Sequence, residues 1–162
     1  MANSIFLEID TAKGESQDKN HKDTIECMSM SWGTSNLSSV GTGTTGHGSG
    51  NANVSEINLM TLNSKASPEL FAHCVKGTHF ATITVYIVKS DGNDTYDFQK
   101  LILTNAYIAS WQQSNSGNDI PTESISISFG KIEMVYKPQA TADGSAGGDI
   151  VHSFDVETHS AS

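Results

Sequence analysis

The sequence predicts an all-β domain, a β-barrel or two packed sheets, with a single α-helix laid against them. Three observations carry that reading. Runs of alternating apolar and polar residues recur along most of the chain,. Clusters of Gly, Ser, Asn and Asp punctuate them,. Residues 67–77 alone have the marks of a helix. Ser67 is placed to accept a hydrogen bond from the free N–H groups of a first turn, and Pro68 suits the first helical position. Gly77 suits a left-handed end. Leu70, Phe71, Cys74 and Val75 form one apolar face,. A helix of roughly ten residues is marginal alone in water, so it must rest on the sheet.

In chain order, residues 5–10 alternate as a first strand, and a charged, polar loop covers 11–23. Residues 24–33 form the next strand, with Glu26, Met28, Met30 and Trp32 on one face and Ile25, Cys27, Ser29 and Ser31 on the other. Residues 37–53 are a long Gly-rich loop. Nothing in it can build a core, and a structureless loop of this length is usually functional or disordered. It is either a flexible insert or an arm that pairs with another surface. Residues 54–62 read as one strand, and 80–89 as a strong strand after the helix.

Residues 90–93 signal a hairpin turn,. Residues 95–113 follow, long for a strand: either one continuous strand with a bend near Thr104 and Asn105 or two strands. After a polar turn, residues 122–136 carry a break in phase. Ile125, Ile127 and Phe129 share one face, then Ile132, Met134 and Tyr136 occupy the other parity. A β-bulge at Gly130-Lys131 would restore one apolar face, and each side chain so kept is worth about 1.5–3 kcal/mol. The rival is a strand that passes from one sheet to another. Residues 138–149 read as a linker, 150–157 as a last strand, and 158–162 as a frayed tail,. The whole, 1–162, reads as a single domain.

Composition narrows the function. Apolar residues make up 36% of the chain, a share that suits a sheet with a large solvated or partner-facing surface. The formal charge is −9, and all nine cations are Lys. With no Arg and an acidic balance, nucleic acid and anionic membrane surfaces are excluded as expected partners. The first residues lack the pattern of a secretory signal, and no apolar run approaches the ~20 residues of a membrane span. Synthesis in a cytoplasm is therefore expected. Cys27 and Cys74 lie far apart and read as buried, reduced thiols,.

No catalytic constellation emerges. Gly41-Thr42-Gly43-Thr44-Thr45-Gly46 spells a dinucleotide fingerprint but lacks the flanking strand and helix that it requires,. No two of the six His residues have metal-ligand spacing,, and a solvated or capping role is expected for most. Glu123, with Asp119 nearby, could do acid–base work, but a solvated loop edge is the plainer expectation. No metal and no cofactor is expected.

Several stretches taken together resemble the haemolysin-coregulated protein (Hcp) family of bacterial type VI secretion. They are the opening strand with Lys13-Gly14-Glu15-Ser16, Asp18, His21 and Ile25, then Ser31-Trp32-Gly33. The Gly-rich loop ending in Asn53-Val54 is similar, as is Ser67-Pro68 opening a helix that closes at Gly77. So is the block from Thr122-Glu123 through Lys131 to Tyr136-Lys137-Pro138-Gln139. The resemblance spans nearly the whole chain and implies a barrel protomer that closes into a hexameric ring. Rings would stack into a tube, be expelled by a contractile sheath with its spike proteins, and carry small effector proteins in the lumen. It implies no enzyme. Ser114, Asn115, Ser116 and Gly117 would face the lumen and touch cargo. Gly41, Thr42, Gly43, Thr44, Thr45, Gly46, His47 and Gly48 would lie in the ring-stacking loop. The alternative is a generic carbohydrate- or peptide-binding β module, which need not form a ring.

Overall fold

A computed structural model describes residues 3–36, 52–91, 94–138 and 148–162. The elements run β1 (Asn3–Glu8), β2 (Ile25–Ser31), β3 (Thr34–Asn36), β4 (Ala52–Val54), β5 (Ile57–Leu62) and α1 (Ser67–Lys76), followed by β6 (His79–Asp91), β7 (Asp94–Ser114), β8 (Thr122–Tyr136), β9 (Ile150–Asp155) and β10 (Ser160–Ala161). Six strands close an antiparallel barrel in the order β8-β5-β2-β1-β6-β7, with β7 returning to β8. β9 and β10 extend the sheet from the far half of β8, and β3 pairs with β4 as a separate ribbon. This is the all-β barrel with one helix that the alternation predicts.

The core fills the barrel. Leu7, Ile57, Leu59, Ile83, Val85, Leu101, Leu103, Ile125 and Ile127 are wholly buried. Closure leaves no long free edges among these six strands, the arrangement that antiparallel sheets use to satisfy their backbone groups.

Residues 54–62 do not make one strand. Ser55 exchanges two bonds with Gly33: its N–H donates to the Gly33 carbonyl at 2.9 Å, and its Oγ accepts from the Gly33 N–H at 2.8 Å. The chain turns there from the ribbon into the barrel. β2 also departs from strict alternation. Its register to β5 shifts between Cys27 and Ser29, so Met30 packs against the core while Met28 is exposed.

The phase change in β8 falls at Gly130 as expected, but no bulge produces it. Thr104 pairs with Lys131 and Ala106 with Phe129, so the register is continuous there. Instead Asn105, opposite Gly130, adopts φ 51°, a left-handed conformation that Asn tolerates better than most residues. β6, β7 and β8 change face together at this row: Phe80, Ala106 and Ile127 are buried before it, and Ile83, Leu103 and Ile132 after it. The one register shift in the β7–β8 ladder lies elsewhere, between Ile108 and Ser110.

The helix keeps its expected ends but not its expected face. Pro68 sits in the first turn, and Gly77 has φ 63°. The N–H groups of Gly77 and Thr78 donate to the carbonyls of Cys74 and His73. Ser67 is not the cap. Ala66 occupies that position, and the Ser67 hydroxyl instead accepts from the Ser64 N–H at 2.9 Å. Leu70 is fully buried, whereas Phe71 and Val75 are 52% and 71% exposed. Only a narrow stripe of α1 reaches the barrel. The expected fray over 158–162 is also replaced: Ser160 pairs with Asp155 and Ala161 with Phe154. Ser153 and Ser162 exchange two backbone bonds, which fixes the chain end to β9.

Candidate functional site

The barrel wall formed by β5, β8 and β7 has two unlike faces. Inward, Ile57 pairs with Ile127, and Leu59 with Ile125. Outward, the rows read Asn58–Ser126–Ser110, Met60–Ser124–Gln112 and Leu62–Thr122–Ser114. Every outward residue of the first half of β8, from Thr122 to Ser128, carries a hydroxyl. The Ser126 hydroxyl donates to Asn58 Oδ1 at 2.7 Å, and Ser128 donates to Glu56 Oε1 at 3.0 Å. The surface offers neutral donors and acceptors side by side, with Glu56 at its border. Chemistry of that kind recognises a partner by several weak hydrogen bonds rather than by one fixed charge.

The turn between β7 and β8 stands at one end of this face. Ser114 pairs with Thr122. The Asn115 side chain folds the turn by accepting from the Gly117 N–H at 2.8 Å, and Gly117 takes φ 89°. Ser114, Asn115, Ser116 and Gly117 are all exposed. The four turn residues singled out in the sequence are thus gathered at the rim of the hydroxyl-lined wall. The eight residues Gly41, Thr42, Gly43, Thr44, Thr45, Gly46, His47 and Gly48 lie outside the described residues; β3 and β4 flank them in sequence. The alternating residues Ser124, Ser126 and Ser128 are missed when only the apolar parity of that strand is read. Their signal is the unbroken run of small hydroxyls at every second position.

Two expectations about polar residues are corrected. Glu123 is no solvated loop edge. It pairs with Thr61 on β5 and faces inward, so it is only 1% exposed. Its Oε2 accepts from the Thr61 hydroxyl at 3.4 Å, while Oε1 has no partner among the described residues. Asp119 stays exposed in the turn, so the two carboxylates do not share an environment. His21 is buried rather than solvated. Its Nε2 lies 2.6 Å from Asp97 Oδ1, and its ring stacks on Phe6 and against Tyr86. That contact fastens the loop after β1 to β7. Burial, with Glu8 and Asp97 nearby, raises the Tyr86 phenol above its ordinary range,.

Both cysteines are free. Burial, helped by Glu26, pushes the Cys27 thiol up to about 12, which leaves it without nucleophilic thiolate near neutrality. Among the described residues no group of three or more His, Cys, Asp or Glu is placed to hold a metal ion.

Known proteins share this architecture. The family model for "Type VI secretion system effector, Hcp" matches residues 6–136. Protein hcp1 of Pseudomonas aeruginosa is 29% identical over 157 residues, covering 96% of each chain. A solved type six secretion system protein superposes with a TM-score of 0.89 at 29% identity, over 99% of this chain and 100% of that one. Hcp1 from Salmonella typhimurium superposes at 0.78 with 26% identity, over the full length of both. A barrel of this topology, matched by the family model over most of its length, leaves one assignment: the chain belongs to the Hcp family of type VI secretion.

Proposed function

We propose that this chain, a type VI secretion tube subunit by family, closes into hexameric rings through contacts between unlike surfaces. The rings stack inside a contractile sheath, meet the spike proteins at the tip, and carry small effector proteins through the lumen. The chain acts as one domain, is made in the bacterial cytoplasm and leaves through the type VI machine. Its role is structural and not catalytic. It needs no cofactor and engages neither nucleic acid nor membrane. The Gly41–Gly48 stretch serves the contact between rings.

The observation that supports this reading is the neutral, hydroxyl-rich outer wall of β5, β8 and β7, with the turn Ser114-Asn115-Ser116-Gly117 at its rim. A channel wall without strong charge lets varied cargo pass. The same turn repeated around an axis turns weak contacts into avidity through effective concentration. Light scattering and negative-stain microscopy of the purified protein test the ring, and a monomer without rings overturns it. Ser116→Gln tests the cargo surface. It crowds the turn without touching the core, so rings of unchanged size and Tm should form while effector co-purification falls. Intact rings with unchanged cargo place the cargo surface elsewhere, and loss of rings makes the turn a subunit contact.

A further inference from the structure

The outer face of the barrel does not stop at β5. Met60 and Leu62 share its rows with Ser124–Gln112 and Thr122–Ser114. β2 continues the sheet beyond them, with Glu26 and Met28 exposed. Hydroxyls give way there to large apolar side chains: Met28, Met60, Leu62 and Ile120 are 42–59% exposed. Met28, Leu62 and Ile120 line an open cavity of about 630 Å³, a volume within the range of ligand-binding clefts. Glu15 and Glu26 line it too, and among the described residues no Lys or His does.

Exposed clusters of large apolar side chains mark contact surfaces in soluble proteins. Two members of this one are methionines, whose unbranched, polarizable side chains repack around differing partners. The carboxylates at the rim set the sign of the partner. Among the described residues the ion pairs are His21–Asp97, Lys65–Asp23 and His73–Glu69, so Glu15 and Glu26 have no cation to compensate them. An acidic segment is repelled there, and a lysine- or arginine-bearing one is attracted. A second copy of this chain is a poor occupant for the same reason, since it carries 18 Asp and Glu against nine Lys.

We propose that this cavity is a docking site for cargo, and that it takes a segment bearing apolar side chains beside Lys or Arg. The apolar side chains enter between Met28, Leu62 and Ile120, and the cations meet Glu15 and Glu26 at the rim. This assignment rests on the reading of the outer wall as the cargo surface and adds the chemistry by which cargo is chosen. The neutral rows of β8 and β7 let varied cargo pass, and this edge holds the segment that identifies it. Apolar contact supplies the affinity, and the charges exclude wrong partners.

The probe is a short fluorescent peptide with leucine on one face and lysine on the other, its binding to the assembled wild-type protein followed by anisotropy. Peptides with glutamate for lysine, or serine for leucine, should bind at least about tenfold more weakly. Glu15→Gln with Glu26→Gln should lower affinity about tenfold and flatten its dependence on salt. Met28→Ser with Leu62→Ser should lower it as much or more. All four side chains are exposed, so Tm and ring mass should not change. Glu69→Gln with Asp149→Asn removes the same charge from exposed positions outside the cavity and should leave binding as it is. An equal loss in that control assigns the effect to net charge and overturns the site, as does a glutamate peptide that binds as well as the lysine one. Loss of rings in the cavity variants overturns it too, by making the surface a subunit contact. Effector co-purification separates this site from the reading beneath it. If Ser116→Gln lowers co-purification and the cavity variants do not, the wall remains the cargo surface and the cavity is excluded from it. If neither lowers it, the wall reading falls and the docking site with it.

Discussion

Ile125 and Ile127 point into the barrel and are fully buried, whereas Ser124 and Ser126, their immediate neighbours on β8, point outward. The same backbone supplies both faces, and the pleat alone separates them. The inner face is under volume constraint, since packed interiors feel the loss of a single methylene. The outer face is under chemical constraint only. Side chains that hold the fold and side chains that meet a partner therefore alternate along one segment and are separately addressable.

The sharpest way to break that contrast is from inside. Ile127→Ala opens a cavity where Ile57 and Ile108 pack across the ladder. It should cost about 2–5 kcal/mol, read as a lower urea midpoint at unchanged slope. A loss under 1 kcal/mol would mean that the inner face tolerates truncation as freely as the outer.

A smaller effect is expected at the row where the faces exchange. A Cβ added at Gly130 would stand 2.7 Å from Glu157 Oε1, which accepts from Asn105 Nδ2 at 2.8 Å. Gly130→Ala should displace that carboxylate and cost about 1 kcal/mol. In a Glu157→Ala background the added loss should shrink, and a purely additive double-mutant cycle would exclude the contact as its cause.

The barrel wall also has a pH signature. The Cys27 thiol is raised from 9.0 to about 12 and the Tyr86 phenol is raised as well. Both favour the protonated form in the folded state. Their contribution is complete below the ordinary pKa of each group and is lost as pH climbs through the folded value. Stability should therefore fall above pH 9, and less steeply in Cys27→Ala. Ellman's reagent at pH 8 should label half-buried Cys74 before Cys27,. Equal labelling rates would contradict the burial of Cys27.

The smallest effect belongs to the outer face. Ser126→Ala removes the bond to Asn58 and should cost no more than about 0.5–1 kcal/mol, with ring mass unchanged by light scattering. A drop of several degrees in Tm would make the hydroxyl wall part of the fold's support.

What could be read from the chain follows the same division. Ile125 and Ile127 are legible because alternation is a direct image of the pleat, and Gly77 because a left-handed helix end admits few residues,. Phe71 and Val75 were misread as core. A short helix that touches the barrel along the stripe around Leu70 has the same apolar spacing as one buried along a broader face, and only the tertiary contact distinguishes them. Glu123 and His21 were misread because each is buried against residues far away in the chain, Thr61 and Asp97, which local pattern cannot foresee. The turn Ser114–Gly117 could be picked out by its composition, but the wall beside it depends on the register of β5, β8 and β7.

The barrel's closure bears on how a newly made subunit reaches its final shape. The β6–β7–β8 meander joins strands that follow one another along the chain. Sealing the barrel instead brings Ile5 to Ile87 and Ile57 to Ile127, partners far apart in sequence. Loop-closure entropy must be met before such distant pairings contribute, and all-β domains of this kind fold in milliseconds to seconds rather than microseconds. The meander is then the natural nucleus. Until β1 and β5 arrive, the outer edges of β6 and β8 remain unpaired, and a nascent chain is open to wrong partners over that interval.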